Sequence, residues 1–432
     1  MGALMQHRGP DGEGFVIFRG TDAPLMRGGP DTPIHLYTAA TPYSPERPVS
    51  RDDYSNARLA LGHRRLAIVD LSEFGHQPMS SPEGDHWIVF NGEIYNHVEL
   101  RAELETLGHR FPSHSDTAVI LAAYRQWGVD CLVRFNGMFA FALYDCSRDM
   151  LFLARDRFGV KPLNLWCDGR TFAFTSEIKA LLAIPGFRPA ADTAAMKDYL
   201  CVGPREDEPG TMFEGVTKLP AASFIYATPQ ALLDGTVQPT TWWKLKANPS
   251  KEPYRADLAA KLAEEYRSRL GEAVRLRLRA DVKIGSALSG GLDSSSIVWL
   301  IASQLREQGA DELQETFSTV YRTPGVEKYD ESVFIEKVGR GLDVSVNMIE
   351  PDPTDVPHEH ERMIWNLDTP PESTLMSSWH TFRLVHHCGI KVTLDGQGAD
   401  EQLGGYLYYL PHSIVGRSPL RMVQAAAALI GA

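Results

Sequence analysis

The stretch Ala287-Leu288-Ser289-Gly290-Gly291-Leu292-Asp293-Ser294-Ser295-Ser296 decides how the second half of this chain folds. An apolar, strand-like run from Val282 to Leu288 leads into it. A segment of helical period follows, with Ile297, Leu300, Ile301 and Leu305 on one face. Strand, tight glycine turn and helix start together present several backbone N–H groups to an anion. Paired glycines remove the Cβ atoms that would hold phosphate oxygens away. Ser289, Ser294 and Ser295 add hydroxyl donors, and Asp293 is placed to hold a cation against the phosphates. No Gly-x-x-x-x-Gly-Lys-Ser/Thr occurs, so this is not the ordinary nucleoside-triphosphate loop. A plain Gly-Gly strand–helix turn with a serine cap is the alternative reading.

Working outward, the pattern from Arg255 is helix, strand, glycine loop, helix and strand again (Glu315 to Val320). That alternation predicts a parallel sheet with helices on its faces. Lys391 to Leu394 is a further short strand, ending in Asp395-Gly396-Gln397-Gly398-Ala399-Asp400-Glu401. Ligand crevices in open α/β sheets lie at the carboxyl ends of strands, and both glycine loops fall there. The first half reads as strands and hairpins with two helices. Trp87 to Phe90 is a β-rich run reaching Asn91-Gly92-Glu93. Helices are expected over Val98 to Leu107, stopped by Gly108, and over Thr117 to Trp127, capped by Ser115 and Asp116 and ended by Gly128. Met138 to Tyr144 and Met150 to Ala154 read as a hairpin. Residues 186–253 are rich in Pro, Gly and short polar runs and read as a connector between domains 1–185 and 254–432.

At 432 residues the chain is too long for one ordinary core. Its net charge of −12 argues against nonspecific nucleic-acid binding and against an anionic membrane surface, both of which favour a basic face. Five scattered cysteines without Cys-x-x-Cys spacing suggest neither a disulfide frame nor a zinc site, and point to reduced thiols in a cytoplasmic setting. No signal peptide or long apolar span is present in the sequence.

The loop at Ser289 resembles the pyrophosphate loop of the ATP pyrophosphatases, which split ATP into AMP and pyrophosphate. Taken with His7-Arg8-Gly9-Pro10-Asp11-Gly12, Arg65-Leu66-Ala67-Ile68-Val69-Asp70, Asn91-Gly92-Glu93-Ile94-Tyr95-Asn96, Ser115-Asp116, Phe135-Asn136-Gly137 and Arg155-Asp156-Arg157-Phe158-Gly159, in that order, nearly the whole chain resembles glutamine-dependent asparagine synthetases. The resemblance implies an α/β protein: an N-terminal-nucleophile-type four-layer α/β/β/α glutaminase domain, then an adenylating synthetase domain with a parallel sheet. It implies glutamine, ATP and aspartate (or another small carboxylate) as substrates, Mg²⁺ as cofactor, and a homodimer as a possible assembly. Glutamine hydrolysis passes through an oxyanion, whose donors would be the Asn91 side chain and the Gly92 N–H. Arg65, as a planar fork, would clamp the glutamine α-carboxylate, with Leu66, Ala67, Ile68 and Val69 beside it. Glu93 and Asp116 would face the α-amino group. In the second domain Leu288, Ser289, Gly290, Gly291, Leu292, Asp293, Ser294, Ser295, Thr319, Asp395 and Gly396 would bind ATP, and Asp293 and Asp400 would hold Mg²⁺. Ser373 and Thr374 are acceptor-site candidates. Other readings stand beside these: Asn91-Gly92 as a hairpin turn, Asp116 as a helix cap, Arg65 as a surface strand residue, and Asp400-Glu401 as a solvated acidic cap.

Three departures from the family pattern qualify the expected function. The family's glutaminase nucleophile is an N-terminal cysteine with a free α-amine, whereas no cysteine here precedes Cys131. The sequence reads as lacking segments at both ends, with the glutaminase step absent from this polypeptide. Gln397 stands where a glutamate is linked to ammonia attack, and an amide cannot take a proton as a carboxylate can. That exchange leaves room for amidation or cyclisation of another carboxylate. A fragment without turnover is the reading of a different class.

Overall fold

Alternating side chains between residues 12 and 65 build one small sheet. Strands β1 (Gly12–Phe18), β2 (Leu25–Gly28), β3 (Arg47–Pro48) and β4 (Leu59–Arg65) assemble in the order β3-β2-β1-β4. β1 and β4 are antiparallel with Gly12 opposite Arg65. The chain is described here from a computed structural model over residues 1–20, 23–203, 209–247, 255–307, 309, 313–371, 375–406 and 409. It divides into two units, the first holding residues 1–266, 279–282 and 354–375.

A larger sheet forms the centre of that first unit. Its members are β5 (Met79–Ser80), β6 (His86–Ile94), β7 (Gly137–Asp145) and β8 (Met150–Arg155), with helices α1 (His97–Thr106) and α2 (Asp116–Trp127) between β6 and β7. Further on come β9 (Asn164–Cys167), β10 (Phe172–Thr175), α3 (Thr193–Val202), β11 (Val216–Lys218), β12 (Ser223–Ala227), α4 (Pro229–Leu233) and β13 (Thr240–Thr241). The six-stranded order is β13-β12-β8-β7-β6-β5, and β10-β9-β11 form a separate small sheet.

The period of two along β6 sets the layers. Trp87 meets Phe18 of β1 edge-on at 6.0 Å, while its neighbour His86 meets Tyr124 of α2 at 5.4 Å. The small sheet therefore covers one face of β6 and α2 the other. Phe139, Phe141 and Phe152 are fully buried in this sandwich, with Ile120 of α2. By the same alternation, Asn91 and Glu93 share the Trp87 face, the space between the sheets.

The helix limits follow the residues expected. Ser115 caps α2 by accepting from the Thr117 N–H at 3.0 Å, and Gly128 ends it at φ +57°. Two sequence readings need correction. β6 runs unbroken through Asn91-Gly92-Glu93, paired with Phe139 and its neighbours in β7, so no hairpin turn forms there. Nor are residues 186–253 a connector throughout: β12 pairs with β8 and β11 with β9, inside the first unit's sheets. Their Pro and Gly content serves tight turns between very short strands, which carry too few residues to show a periodic pattern.

The second unit comprises residues 267–278, 283–353 and those from 376 on. Along this part of the chain run α5 (Ala256–Arg277), β14 (Ile284–Ala287), α6 (Leu292–Glu307), β15 (Glu315–Thr319), α7 (Ser332–Leu342), β16 (Ser345–Ile349), α8 (Val356–Leu367), α9 (Leu375–His387), β17 (Val392–Thr393) and α10 (Ala399–Leu403). Helix α8 groups with the first unit. The sheet order is β16-β15-β14-β17, and every pairing is parallel, as the alternation of elements predicts. The helical stripe of α6 divides between two cores: Val298 packs with Leu288 and Ile335, and Ile297, Leu300 and Ile301 with Val274 of α5. Among the described residues no helix is long and apolar enough to cross a membrane.

Candidate active site

In the first unit, a cavity of about 210 Å³ opens between the two sheets, walled by the end of β4, the middle of β6 and the start of α2. Eight predicted residues line it: Arg65, Leu66, Ile68, Val69, Asn91, Gly92, Glu93 and Asp116. Asn91 Nδ2 is buried and has no hydrogen-bond partner among the described residues. A donor left without a partner in such a place is costly unless something else accepts from it. Gly92 sits at φ +153°, and a Cβ there would collide with the Met138 carbonyl of β7.

Arg65 is fixed by its own loop, donating through Nη1 to the Ser72 carbonyl at 3.1 Å and through Nη2 to the Asp70 carbonyl. Asp70 in turn accepts from the Ser113 hydroxyl at 2.8 Å and the His114 N–H at 3.0 Å. Asp116 is the first residue of α2, and Ser115 before it does the capping. The freed Asp116 carboxylate reaches the Ile94 N–H at 2.9 Å, and burial pushes its pKa up to about 6. Ala67 is the exception to the predicted set. It is buried outside the cavity lining, and its N–H is held by the Asp11 carboxylate at 2.8 Å, so it anchors the strand end.

Several lining residues escaped sequence reasoning. His63 lies two residues before Arg65 on β4, and strand alternation would have placed it on the same face. Burial and the neighbouring His76, Arg65 and Arg64 hold its pKa down to about 3. Gln77 braces β6 by accepting from the Phe90 N–H at 2.7 Å. Arg8 and Lys161 also face the cavity, and Arg8 pairs with Glu177 at 3.0 Å. Their approach depends on long-range folding that no local pattern encodes. No cysteine lines the cavity among the described residues.

In the second unit the loop after β14 folds on itself. The Ser289 N–H donates to Ser294 Oγ at 3.2 Å, the two hydroxyls lie 3.0 Å apart, and the Gly291 N–H reaches Ser289 Oγ at 3.3 Å. Gly290 adopts φ +81°, with a Cβ position 2.6 Å from Phe334 Cβ of α7, so only glycine fits. Ser295 Oγ is buried without a hydrogen-bond partner among the described residues. The loop after β17 docks beside it: Asp395 accepts from the Ala287 N–H at 2.8 Å and the Thr393 hydroxyl at 3.1 Å. Burial raises the Asp395 pKa. A Cβ on Gly396 would come 2.9 Å from the Ser294 nitrogen and 3.0 Å from the Asp293 carbonyl carbon, so the second loop packs against the backbone of the first where only glycine leaves room.

Three predicted nucleotide contacts are placed differently. Leu288 is 2% exposed and its side chain belongs to the core, while its N–H and C=O are taken by Phe317 and Ser318. The Thr319 hydroxyl is committed to the Ser377 carbonyl at 2.9 Å and the Thr381 hydroxyl at 2.8 Å, both on α9. The Leu292 side chain is 87% exposed and offers only its backbone to the loop. Asp293 opens α6 and Asp400 lies on α10, while Gln397 is exposed at the tip of the second loop. Ser373 and Thr374 lie outside the described residues.

Residues 46–243 match the family model described as a glutamine amidotransferase domain, and residues 265–429 match the one described as asparagine synthase. A Methanocaldococcus jannaschii protein bearing the name asparagine synthetase [glutamine-hydrolyzing] 2 is 31% identical over 95% of this chain and 72% of its own length. The chain belongs to the asparagine synthetase family.

Within that family it is 34% identical to asparagine synthetase [glutamine-hydrolyzing] 3 of Bacillus subtilis, over 81% of this chain and 56% of the relative. It is 33% identical to amidase chry2 of Gibberella zeae, over 81% of this chain and 52% of that protein. The chain thus spans about half the length of the Bacillus subtilis and Gibberella zeae relatives. Both glycine loops, and the cavity-lining residues from Gly62 to Ser176, fall inside the segments that the two family models match.

Proposed function

We propose that this chain carries an ATP-dependent, amide-forming ligase activity. Its second unit activates a carboxylate as an acyl-adenylate, and ammonia displaces AMP. The observation that supports this best is the serine- and glycine-lined turn at the carboxyl end of β14, docked against the Asp395-Gly396 loop. A carboxylate is a poor acceptor for ammonia because hydroxide would have to leave; adenylation supplies AMP as the leaving group. Ser289, Ser294 and Ser295, whose hydroxyl has no hydrogen-bond partner among the described residues, offer donors to the outer phosphates, and the N-terminus of α6 adds backbone N–H groups. Mg²⁺ fits the donor set: Asp293 and Asp400 are hard oxygen ligands, and a metal needing only one or two protein carboxylates beside phosphate oxygens requires no larger cluster. None of three or more His, Cys, Asp or Glu occurs among the described residues. When bound, the ion would offset phosphate charge; Asp293 and Asp400 would hold it.

The first unit's cavity is read as a glutamine site. Arg65 binds the α-carboxylate, Asp116 and Glu93 the α-amino group, and the Asn91 amide nitrogen with the Gly92 N–H the side-chain oxygen. The nitrogen donor is read as ammonia, supplied free or from glutamine bound in this cavity. Aspartate is the leading acceptor. Amidation of another carboxylate is the second reading, favoured by Gln397 in the loop and by the amidase among the relatives.

Pyrophosphate–ATP exchange, run with a panel of carboxylic acids, distinguishes these. Exchange stimulated by aspartate supports the first reading, and exchange stimulated only by another acid supports the second. An absence of exchange with every acid would defeat both.

A further inference from the structure

Among the described residues, four lysine or arginine side chains line the inter-sheet cavity: Arg8, Arg64, Arg65 and Lys161. Two of them are already neutralised. Arg8 pairs with Glu177 at 3.0 Å, and Arg64 with Glu13 at 2.9 Å and Asp31 at 2.7 Å. Arg65 donates to carbonyl oxygens and has no carboxylate partner among the described residues. Lys161 is the fourth, and its amine makes neither a hydrogen bond nor an ion pair among the described residues. Reading the cavity as a glutamine site uses Arg65 and leaves Lys161 without a task.

The fold places Lys161 with care. It closes the turn that leaves β8, and that turn is clamped from both sides. The Asp156 carboxylate, 1% exposed, accepts from the N–H groups of Phe158, Val160 and Lys161, each at 3.0 Å. The buried Arg155 guanidinium donates to the Gly159 carbonyl at 2.6 Å and to the Lys161 carbonyl at 2.8 Å. Gly159 makes the turn possible at φ +65°, where a Cβ would also come 3.0 Å from that guanidinium. The half-buried Lys161 side chain runs from this fixed backbone to within the electrostatic reach of Glu93 and Arg8, both on the cavity walls. Burial is the main reason its pKa lies below the ordinary lysine value, with Glu93 opposing the shift. An ammonium has three donors and no acceptor, so one left without a partner calls for an anion.

We propose that Lys161 determines specificity in this cavity, giving it a preference for an α-amino dicarboxylate, L-glutamate, over L-glutamine. The inference rests on the reading of the cavity as a glutamine site. Both ligands set the α-carboxylate on Arg65 and the ammonium group on Asp116 and Glu93. They differ at the far end of the side chain, where the acid offers two anionic oxygens to Lys161 and the Asn91 amide. Hydrogen bonds to an ionised acceptor are about twice as strong as neutral ones. The amide of glutamine instead brings two hydrogens that neither Lys161 nor the Asn91 nitrogen can accept. Glutamate is what remains when glutamine gives up ammonia to water, so a cavity with this preference retains the acid product.

Calorimetric titration of the full polypeptide with L-glutamate and with L-glutamine tests this, with wild type beside Lys161→Gln and Lys161→Arg. Wild type is expected to bind glutamate about tenfold more tightly than glutamine. Lys161→Gln is expected to lose that preference through weaker glutamate binding, with glutamine affinity changed by less than about twofold. Lys161→Arg is expected to keep the preference, and thermal melts of both variants are expected to match wild type. A lysine with a merely structural role would weaken both ligands together and leave their ratio alone. Equal binding of the two ligands by wild type, a preference that survives in Lys161→Gln, or a loss shared equally by both ligands overturns the proposal and leaves the glutamine-site reading standing. Failure of both amino acids to bind overturns that reading, and the proposal with it.

Discussion

At the scale of single residues, the site depends on polar atoms held where folding alone does not satisfy them. Asn91 Nδ2 is the clearest, buried and without a hydrogen-bond partner among the described residues, on the face of β6 that β1 covers. Asp116 is the most tunable, because burial brings its pKa to about 6. An ammonium-bearing ligand needs the carboxylate, so affinity for L-glutamine is expected to fall as pH drops through that value. Asp116→Asn is expected to bind weakly and with a flat profile; calorimetric titrations between about pH 5 and pH 8 check this. A variant retaining the wild-type pH dependence would remove Asp116 from the binding role. These residues were legible in the sequence because their motifs are short, contiguous and tied to turns. Lys161 and Arg8 were not, since only tertiary folding brings them to the cavity.

At the scale of elements, the two glycine loops stand or fall together. Gly396 backs onto the Ser294 nitrogen, and Asp395 ties its own loop to the last residue of β14. A methyl group at 396 must push the loops apart, whereas most of the unit's core lies elsewhere. Gly396→Ala is therefore expected to raise the KM for ATP about tenfold, with a loss of fold stability near 1 kcal/mol. Gly290→Ala adds a left-handed backbone penalty of about 1–2 kcal/mol to a clash with Phe334. Thermal melts and ATP-dependent exchange on both variants measure the two effects; an unchanged KM in Gly396→Ala would show that the loop contact is not part of the nucleotide site. The sequence revealed β14, β15 and α6 because strand, glycine turn and helical stripe have distinct periods. It hid β11, β12 and β13, whose two to five residues are shorter than any window in which alternation shows.

At the scale of the whole molecule, buried titratable groups set the response to acid. His63 and His76 are held neutral, with pKa values near 3 and 4 against an ordinary 6.5. Below pH 6.5 the unfolded chain takes up protons that these two cannot accept in the fold, so stability falls as pH falls toward 4. Asp116 acts with the opposite sign, its contribution being lost as pH rises from 3.8 through about 6. Two histidines outweigh one carboxyl, and Glu177, held down to about 2 by His7, Lys179 and Arg8, adds further loss below 4.5. Denaturant midpoints across this range are expected to decline steadily on acidification; a midpoint that rises toward pH 4 would contradict the assignment of both histidines.

ATP is expected to be cut between its α and β phosphorus atoms. Incubating the polypeptide with ATP, Mg²⁺, aspartate and ammonium, and separating the nucleotides by chromatography, tests it directly. AMP and pyrophosphate released in equal amounts is the predicted result; ADP with phosphate, or ATP left whole under every acceptor tried, would contradict it.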